Sequence, residues 1–242
     1  MEESVVVVEH LQKSFGSNCV LKDISLEIAK GENLVVLGKS GSGKSVLIKC
    51  LVRLLDPDKG KIVVFGEEIS TLKKDQLNAL RKKVGFLFQS AALYDSMTVG
   101  ENLKFPLRGD KKMGDEEIHT LVEETLKSVG LEKSINKMPS ELSGGMRKRA
   151  GLARTLILKP ELILYDEPTT GLDPITSKEI SNLILEVQKK HNAASIIITH
   201  DVECARITAN RVIIIKEGLA VAEGTFEELA ASKDEWVNSF FK

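Results

Sequence analysis

Gly38, Lys39, Ser40, Gly41, Ser42, Gly43, Lys44 and Ser45 fit the spacing G-x-x-x-x-G-K-[ST], a loop built to hold phosphate. The apolar run Leu34 to Leu37 leads in as a buried strand, and Val46-Leu47-Ile48 leads out as a helix. Glycines let successive backbone N–H groups converge on one anion, and the helix start turns its positive end toward the same point. Lys44 is placed to reach the β- and γ-phosphates, and the Ser45 hydroxyl to hold Mg²⁺. Residues 38–46, with Val46 in the first helical turn, are the nucleotide-binding candidates, and they suit a nucleoside triphosphate.

Further polar residues stand at the ends of apolar runs. Asp166 closes Leu162-Ile163-Leu164-Tyr165, and an aspartate there, downstream of a phosphate loop, steadies Mg²⁺. Glu167 beside it suits a general base that polarises the attacking water. Gln89 follows Gly85-Phe86-Leu87-Phe88, where a neutral amide can contact the metal or its water; taken alone it is an ordinary strand-end residue. Of the four histidines only His200 ends a buried strand, where it can hydrogen-bond the γ-phosphate; His10, His119 and His191 fall in turn-like or helical surface contexts.

Leu142-Ser143-Gly144-Gly145-Met146 precedes a helix expected over 147–157, with Ser143 as its cap. Two glycines there let a phosphate approach the exposed N–H groups. The phosphate loop already cradles the chain's own nucleotide, so a second such helix end points to a nucleotide on another copy. A head-to-tail dimer follows. The basic run Arg147-Lys148-Arg149 reads as a solvated face.

The elements that must position these groups alternate. Val5 to Val8 and the alternating Ile24, Leu26 and Ile28 read as strands, with Phe15-Gly16 at the tip between them. Phe15 reads as a local hydrophobic staple at that tip. Lys61 to Phe65 and residues 195–199 are further strands, and Val212 to Ile215 with Leu219 to Val221 form a hairpin around Glu217-Gly218. Ile180, Leu183, Ile184 and Val187 form one helix stripe; Ile118, Leu121, Val122, Leu126 and Val129 form another, capped by Asp115 and closed by Gly130. The pattern predicts an α/β fold, a parallel sheet with an antiparallel β flank. Its core spans about 1–89 and 152–242, with an inserted α-helical lobe over about 90–151. Trp236, Val237, Phe240 and Phe241 read as a cap on the core.

Composition narrows the classes. A chain of 242 residues suits one α/β domain with a side lobe. Lys+Arg 34 against Asp+Glu 35 gives no reason to expect nucleic acid. Cys19, Cys50 and Cys204 lack C-x-x-C spacing and read as reduced packing residues of a cytosolic protein. No apolar run approaches the roughly 20 residues of a bilayer span, and Met1-Glu2-Glu3 does not begin a signal peptide. Work at a membrane would therefore need a partner to hold the chain there.

Together these residues resemble the ATP-binding subunits of ABC transporters, over nearly the whole chain. The phosphate loop, Gln89, Leu142 to Met146, Leu162 to Glu167, Gly171-Leu172-Asp173 and His200 follow that family's order and approximate spacing. The resemblance implies an ABC-type nucleotide-binding domain with a RecA-like core, hydrolysing ATP with Mg²⁺ as a homodimer across two ATP. It makes Glu167 the base, His200 the γ-phosphate sensor, and Ser45, Gln89 and Asp166 the metal's neighbours. Ser143, Gly144, Gly145 and Met146 contact the partner's γ-phosphate in trans, Met146 standing where the family has glutamine. Asp173 lies across the interface, and Phe15 takes the place of an adenine-stacking aromatic that is usually tyrosine.

Leu87-Phe88-Gln89-Ser90-Ala91-Ala92-Leu93-Tyr94-Asp95-Ser96-Met97-Thr98-Val99 and Phe105-Pro106-Leu107-Arg108 look like the ATPase of the MCE-type lipid transporters. Ala91 replaces an expected glycine and Tyr94 the usual phenylalanine. This resemblance implies an integral permease docking near Ala91 to Pro106, through Leu93, Tyr94, Met97 and Phe105, with an MCE-domain lipid-binding protein as a further partner. The cargo would be lipid, phospholipid in particular, and the location peripheral, on the cytoplasmic face of the inner membrane. The rival readings are the ATPase of an amino-acid or other small-solute importer, a soluble ABC-type switch, and a small-molecule kinase sharing only the phosphate loop.

Overall fold

The computed structural model describes residues 4–108 and 113–241; Met1, Glu2 and Glu3, on which the signal-peptide expectation rests, lie outside them. The chain opens with β1 (Ser4–Phe15), β2 (Asn18–Ala29) and β3 (Asn33–Leu37), then α1 (Lys44–Leu51), β4 (Lys59–Val64), β5 (Glu67–Glu68), α2 (Lys74–Lys82) and β6 (Val84–Leu87). Next come α3 (Val99–Lys104), α4 (Asp115–Ser128) and α5 (Gly144–Leu156), separated by short 3₁₀ turns. It closes through β7 (Leu162–Asp166), α6 (Pro174–His191), β8 (Ala194–Thr199), α7 (Val202–Thr208), β9 (Arg211–Lys216), β10 (Leu219–Gly224), α8 (Phe226–Ala230) and α9 (Glu235–Asn238).

The strands form one sheet in the order β5-β4-β1-β2-β10-β9-β3-β8-β7-β6. β6, β7, β8, β3 and β9 run parallel, and β9–β10, β1–β2 and β1–β4 pair antiparallel. The expected α/β class with an antiparallel flank is what the chain adopts. β3, β7 and β8 are buried at every residue because helices or strands cover both faces, hence their unbroken apolar runs. Alternation then divides each strand between two cores. Val35, Leu37, Ile163, Tyr165 and Ile197 pack with the buried stripes of α4, α5 and α6, while Leu34, Val36, Leu162, Leu164 and Ile196 pack with α1 and the inner face of β1 and β2. Ile180, Leu183, Ile184 and Val187 are the buried apolar stripe of α6, as their spacing requires.

Several local expectations need correction. Asp115 does not cap α4: Gly114 is the N-cap and Asp115 the first helical residue, where its charge, with Glu116 and Glu117, favours the helix's positive end. His10 lies not in a turn but within β1, at φ 50, where a bulge shifts the register against β2. α2 was not anticipated, since only Leu77 and Leu80 of its residues are buried. α5 begins at Gly144, three residues before the expected start, with the Ser143 hydroxyl accepting from the Met146 N–H at 3.3 Å. Glycine's poor helix propensity hides that start, and packing imposes it.

A Cβ on Gly145 would stand 2.5 Å from Thr176 Cγ2 on α6. Gly145→Ala is therefore expected to cost about 1–3 kcal/mol by overpacking. An unchanged urea midpoint at unchanged m-value would refute the close approach.

At the C-terminus Val237 is buried, and Trp236, Phe240 and Phe241 pack against the same core, in edge-on pairs with Phe240–Trp236 at 4.9 Å and Phe226–Phe241 at 5.0 Å. They cap it, as expected. Among the described residues no helix is long and apolar enough to cross a membrane.

Candidate active site

The phosphate loop joins β3 to α1 at the C-terminal edge of the parallel strands. Gly43 caps α1 at φ 100, a conformation that L side chains rarely adopt, and a Cβ there would meet Leu21 Cδ2 at 2.7 Å. Residues 39–46 line a cavity of about 600 Å³ together with Val20, Gln89, Glu167 and His200. Thus groups from four separate strand ends, predicted from sequence to act together, face one space. Gln89 also lines an adjoining groove with Asp166 and Thr170.

Lys44 is buried at the cavity floor, its Nζ donating to the carbonyls of Gly38 at 2.7 Å and Lys39 at 3.3 Å, with Glu167 Oε1 at 3.7 Å. Burial lowers its pKa from the ordinary lysine value, against the opposing charges of Glu167 and Asp166. The Ser45 hydroxyl donates to Asp166 Oδ1 at 3.0 Å. Burial raises the Asp166 pKa, and the Ser45 bond opposes that shift.

Glu167 follows β7 at φ 50, a left-handed conformation rare for a side chain of this size. Its Oε2 accepts from Thr170 Oγ1 at 3.1 Å and Thr199 Oγ1 at 3.4 Å, and lies 2.8 Å from His200 Nδ1. The carboxylate is thereby aimed into the cavity while the His200 ring remains largely open to solvent, at 62% side-chain exposure.

A Ser hydroxyl and a buried carboxylate at one point, with Gln89 beside them, fit Mg²⁺. That ion takes one or two protein ligands and fills the rest of its octahedron with phosphate oxygens and water. Among the described residues no three His, Cys, Asp or Glu side chains gather into an all-protein cage.

A family model described as "ABC transporter" matches residues 21–170, from β2 through the loop after β7. The chain belongs to the ABC transporter family. It is an ATPase cassette of that family. A relative in Mycobacterium leprae, named a probable ribonucleotide transport ATP-binding protein, is 42% identical and aligns over 97% of this chain and 68% of its own length. The intermembrane phospholipid transport ATP-binding protein MlaF of Haemophilus influenzae is 38% identical, over 100% of this chain and 92% of its own length. The solved dimer of the ATP-binding cassette MJ0796, in a post-hydrolysis state with ADP and Pi, superposes with a TM-score of 0.83 at 32% identity, covering 91% of this chain and 98% of that one.

Within this cassette some expected residues stand apart from the cavity. Phe15 pairs with Asn18 at the β1–β2 hairpin and is 48% exposed, with Lys13 Nζ at 5.5 Å from its ring centre; it is not a staple, and it does not line the cavity. Ser143 caps α5 and Gly144, Gly145 and Met146 open it, and none of the four lines the cavity. Asp173 caps α6, accepting from the N–H groups of Ile175 and Thr176 and from Thr176 Oγ1. These bonds hold its carboxyl below the usual range.

The segment Ala91 to Pro106 divides. Leu93 packs against the core, whereas Tyr94 is 44% exposed and lies over Phe105 at 4.7 Å, with Arg154 and Arg108 above the two rings. Asn102 fastens this loop from below, its side chain bonding Tyr94 N–H and the carbonyls of Tyr94, Met97 and Thr98.

Two site residues escaped the sequence reading. Val20 lines the cavity from β2, and no local pattern marks it. Lys148 was assigned to a solvated basic face, yet it is buried, and its neighbour Arg149 is turned to the Val129 carbonyl and Glu179. Lysine and arginine runs carry no periodic signal for which member turns inward.

Proposed function

We propose that this cassette is the ATP-hydrolysing subunit of a transporter that moves lipid, phospholipid in particular, through an integral permease of the MCE type. The observation that carries this reading is the alignment of the entire chain with the phospholipid-transport relative. The cassette works at the cytoplasmic face of the membrane, held there by the permease at the exposed Tyr94–Phe105 surface, with an MCE-domain protein as a further partner.

Lys44 and the loop N–H groups bind the triphosphate, and Phe15 stacks on adenine. Ser45, Asp166 and Gln89 would hold Mg²⁺, which would supply positive charge beside the phosphates. Glu167 polarises the attacking water, and His200 contacts the γ-phosphate and steadies the Glu167 carboxylate. Each active site is completed by a second copy, whose Ser143, Gly144, Gly145 and Met146 present the α5 N-terminus to the γ-phosphate, with Asp173 at the same interface. The helical segment over about 90–151 moves as a lobe between the ATP-closed and open dimers. Differential affinity of those two states for ATP supplies the drive.

Ser143→Arg tests the trans arrangement. It is expected to lower kcat by roughly 10²-fold or more while the Kd for ATP on the same protomer stays within about twofold. Equal losses of both would count against it. For the cargo, the intact membrane complex is captured through this subunit, and its proteins and lipids are identified. Co-purifying permease and phospholipid are expected. A lipid-free complex whose ATPase responds to an amino acid would replace this reading with the small-solute importer.

A further inference from the structure

Lys148 lies in the second turn of α5, the helix that Ser143 caps, and its side chain is only 6% exposed. Its Nζ donates to the backbone carbonyl of Gln89 at 2.6 Å and to that of Glu167 at 3.0 Å. Those residues follow the ends of β6 and β7, neighbouring parallel strands, and both carry site chemistry. One ammonium thus joins two strand ends to a helix that belongs to neither. Burying a charge is unfavourable unless it is hydrogen-bonded, so a lysine here calls for a reason.

Two features supply the reason. Glu167 sits at φ 50, and its peptide is pinned from both sides: its N–H donates to the Ile198 carbonyl at 2.9 Å, and its carbonyl accepts from Lys148. Removing the ammonium takes away the shorter of the two bonds on that carbonyl, leaving the Thr170 N–H at 3.3 Å to hold a residue in a sparsely populated backbone conformation. The second feature is the face of α5 itself. Residues 148, 151 and 154 recur every three residues along it and meet Gln89, Ala91 and Ala92 in turn. Gly151 is so close that a Cβ there would stand 2.8 Å from Ala91 Cβ, and Arg154 Nη1 donates to the Ala92 carbonyl at 2.7 Å. The loop over 89–92 is therefore fastened to α5 along its length, and only the Lys148 contact also reaches Glu167.

We propose that Lys148 is a positioning residue for hydrolysis. It ties the helix whose N-terminus meets the partner's nucleotide to the main chain of Gln89 and Glu167, so that docking of α5 in trans sets the carboxylate and the amide together. This rests on the dimeric reading of α5 given above. A lysine tip offers three donors to the two carbonyls; methionine fills similar volume and offers none.

In the full-length chain with ATP and Mg²⁺, Lys148→Met is expected to lower kcat on the order of 10²-fold, the scale of a small misplacement of a reacting group. The Kd for ATP should stay within about twofold, and Lys148→Arg, which keeps donors, should recover most of the rate. A kcat within about twofold of wild type, a parallel loss of kcat and Kd, or an arginine variant as slow as the methionine one would each overturn the proposal. If Lys148→Met fails to fold, Lys148→Leu, which likewise offers no donor, is judged by the same split between kcat and Kd. Sedimentation of Glu167→Gln with ATP separates the two layers of inference. A monomer there defeats the dimer reading and this proposal with it. An ATP-driven dimer beside a full-rate Lys148→Met defeats the Lys148 role alone.

Discussion

Glu167→Gln is expected to slow ATP turnover by about 10²- to 10⁴-fold, the contribution typical of a positioned general base, while ATP binding survives. The substitution is nearly isosteric. The amide oxygen can still accept from Thr170 and Thr199, so the donors that aim this side chain remain satisfied. What is lost is the basic oxygen that would take a proton from water, and the charge that faces Lys44 at 3.7 Å. Removing that negative charge from beside the triphosphate should strengthen rather than weaken nucleotide binding. Accordingly the variant should accumulate an ATP-loaded dimer, visible in sedimentation as a doubling of mass that wild type does not sustain. A variant that hydrolyses ATP at near wild-type rate would remove Glu167 from the role of base.

Lys44→Ala is expected to abolish useful nucleotide binding. The ammonium is a buried cation at the floor of the cavity, aimed by its neighbours through the Gly38 and Lys39 carbonyls. A buried, hydrogen-bonded charge that loses its partner costs about 2–5 kcal/mol, roughly 30- to 5000-fold in Kd. Here the loss is compounded, because Glu167 and Asp166 then face the phosphates without the opposing charge that now lies among them. Isothermal titration with ATP and Mg²⁺ measures this directly. A Kd within a few-fold of wild type would show that the loop N–H groups alone carry the affinity. Taken together, the two substitutions separate binding from chemistry: one removes the grip, the other the base.

Much of this was legible in the residues because a few elements have only one way to be buried. The runs in β3, β7 and β8 are continuously apolar since both faces of a central parallel strand are covered, and the polar groups that end them, Thr199 and His200, Asp166 and Glu167, or the phosphate loop itself, fall at the same sheet edge. The α6 stripe was equally plain. Where the pattern is weak, the elements are hidden. The α5 start is hidden by two glycines, of which Gly145 is demanded by packing against Thr176. α2 shows too few buried residues to be periodic, and Asp115 was mistaken for a cap when Gly114 holds that place.

By itself, the order of residues marked the β3–loop–α1 turn as one of phosphate-binding type and singled out the acids that end neighbouring strands. Spacing and backbone chemistry suffice for that, since the loop and its helix are local in sequence. Only the folded chain decided where the remaining groups point. Lys148 turned from an apparent surface charge into a bond between Gln89 and Glu167, and Phe15 stood clear of the core while Val20 lined the cavity. Such placements depend on contacts between segments far apart along the chain, and the direction of a single side chain leaves no periodic trace in its neighbours.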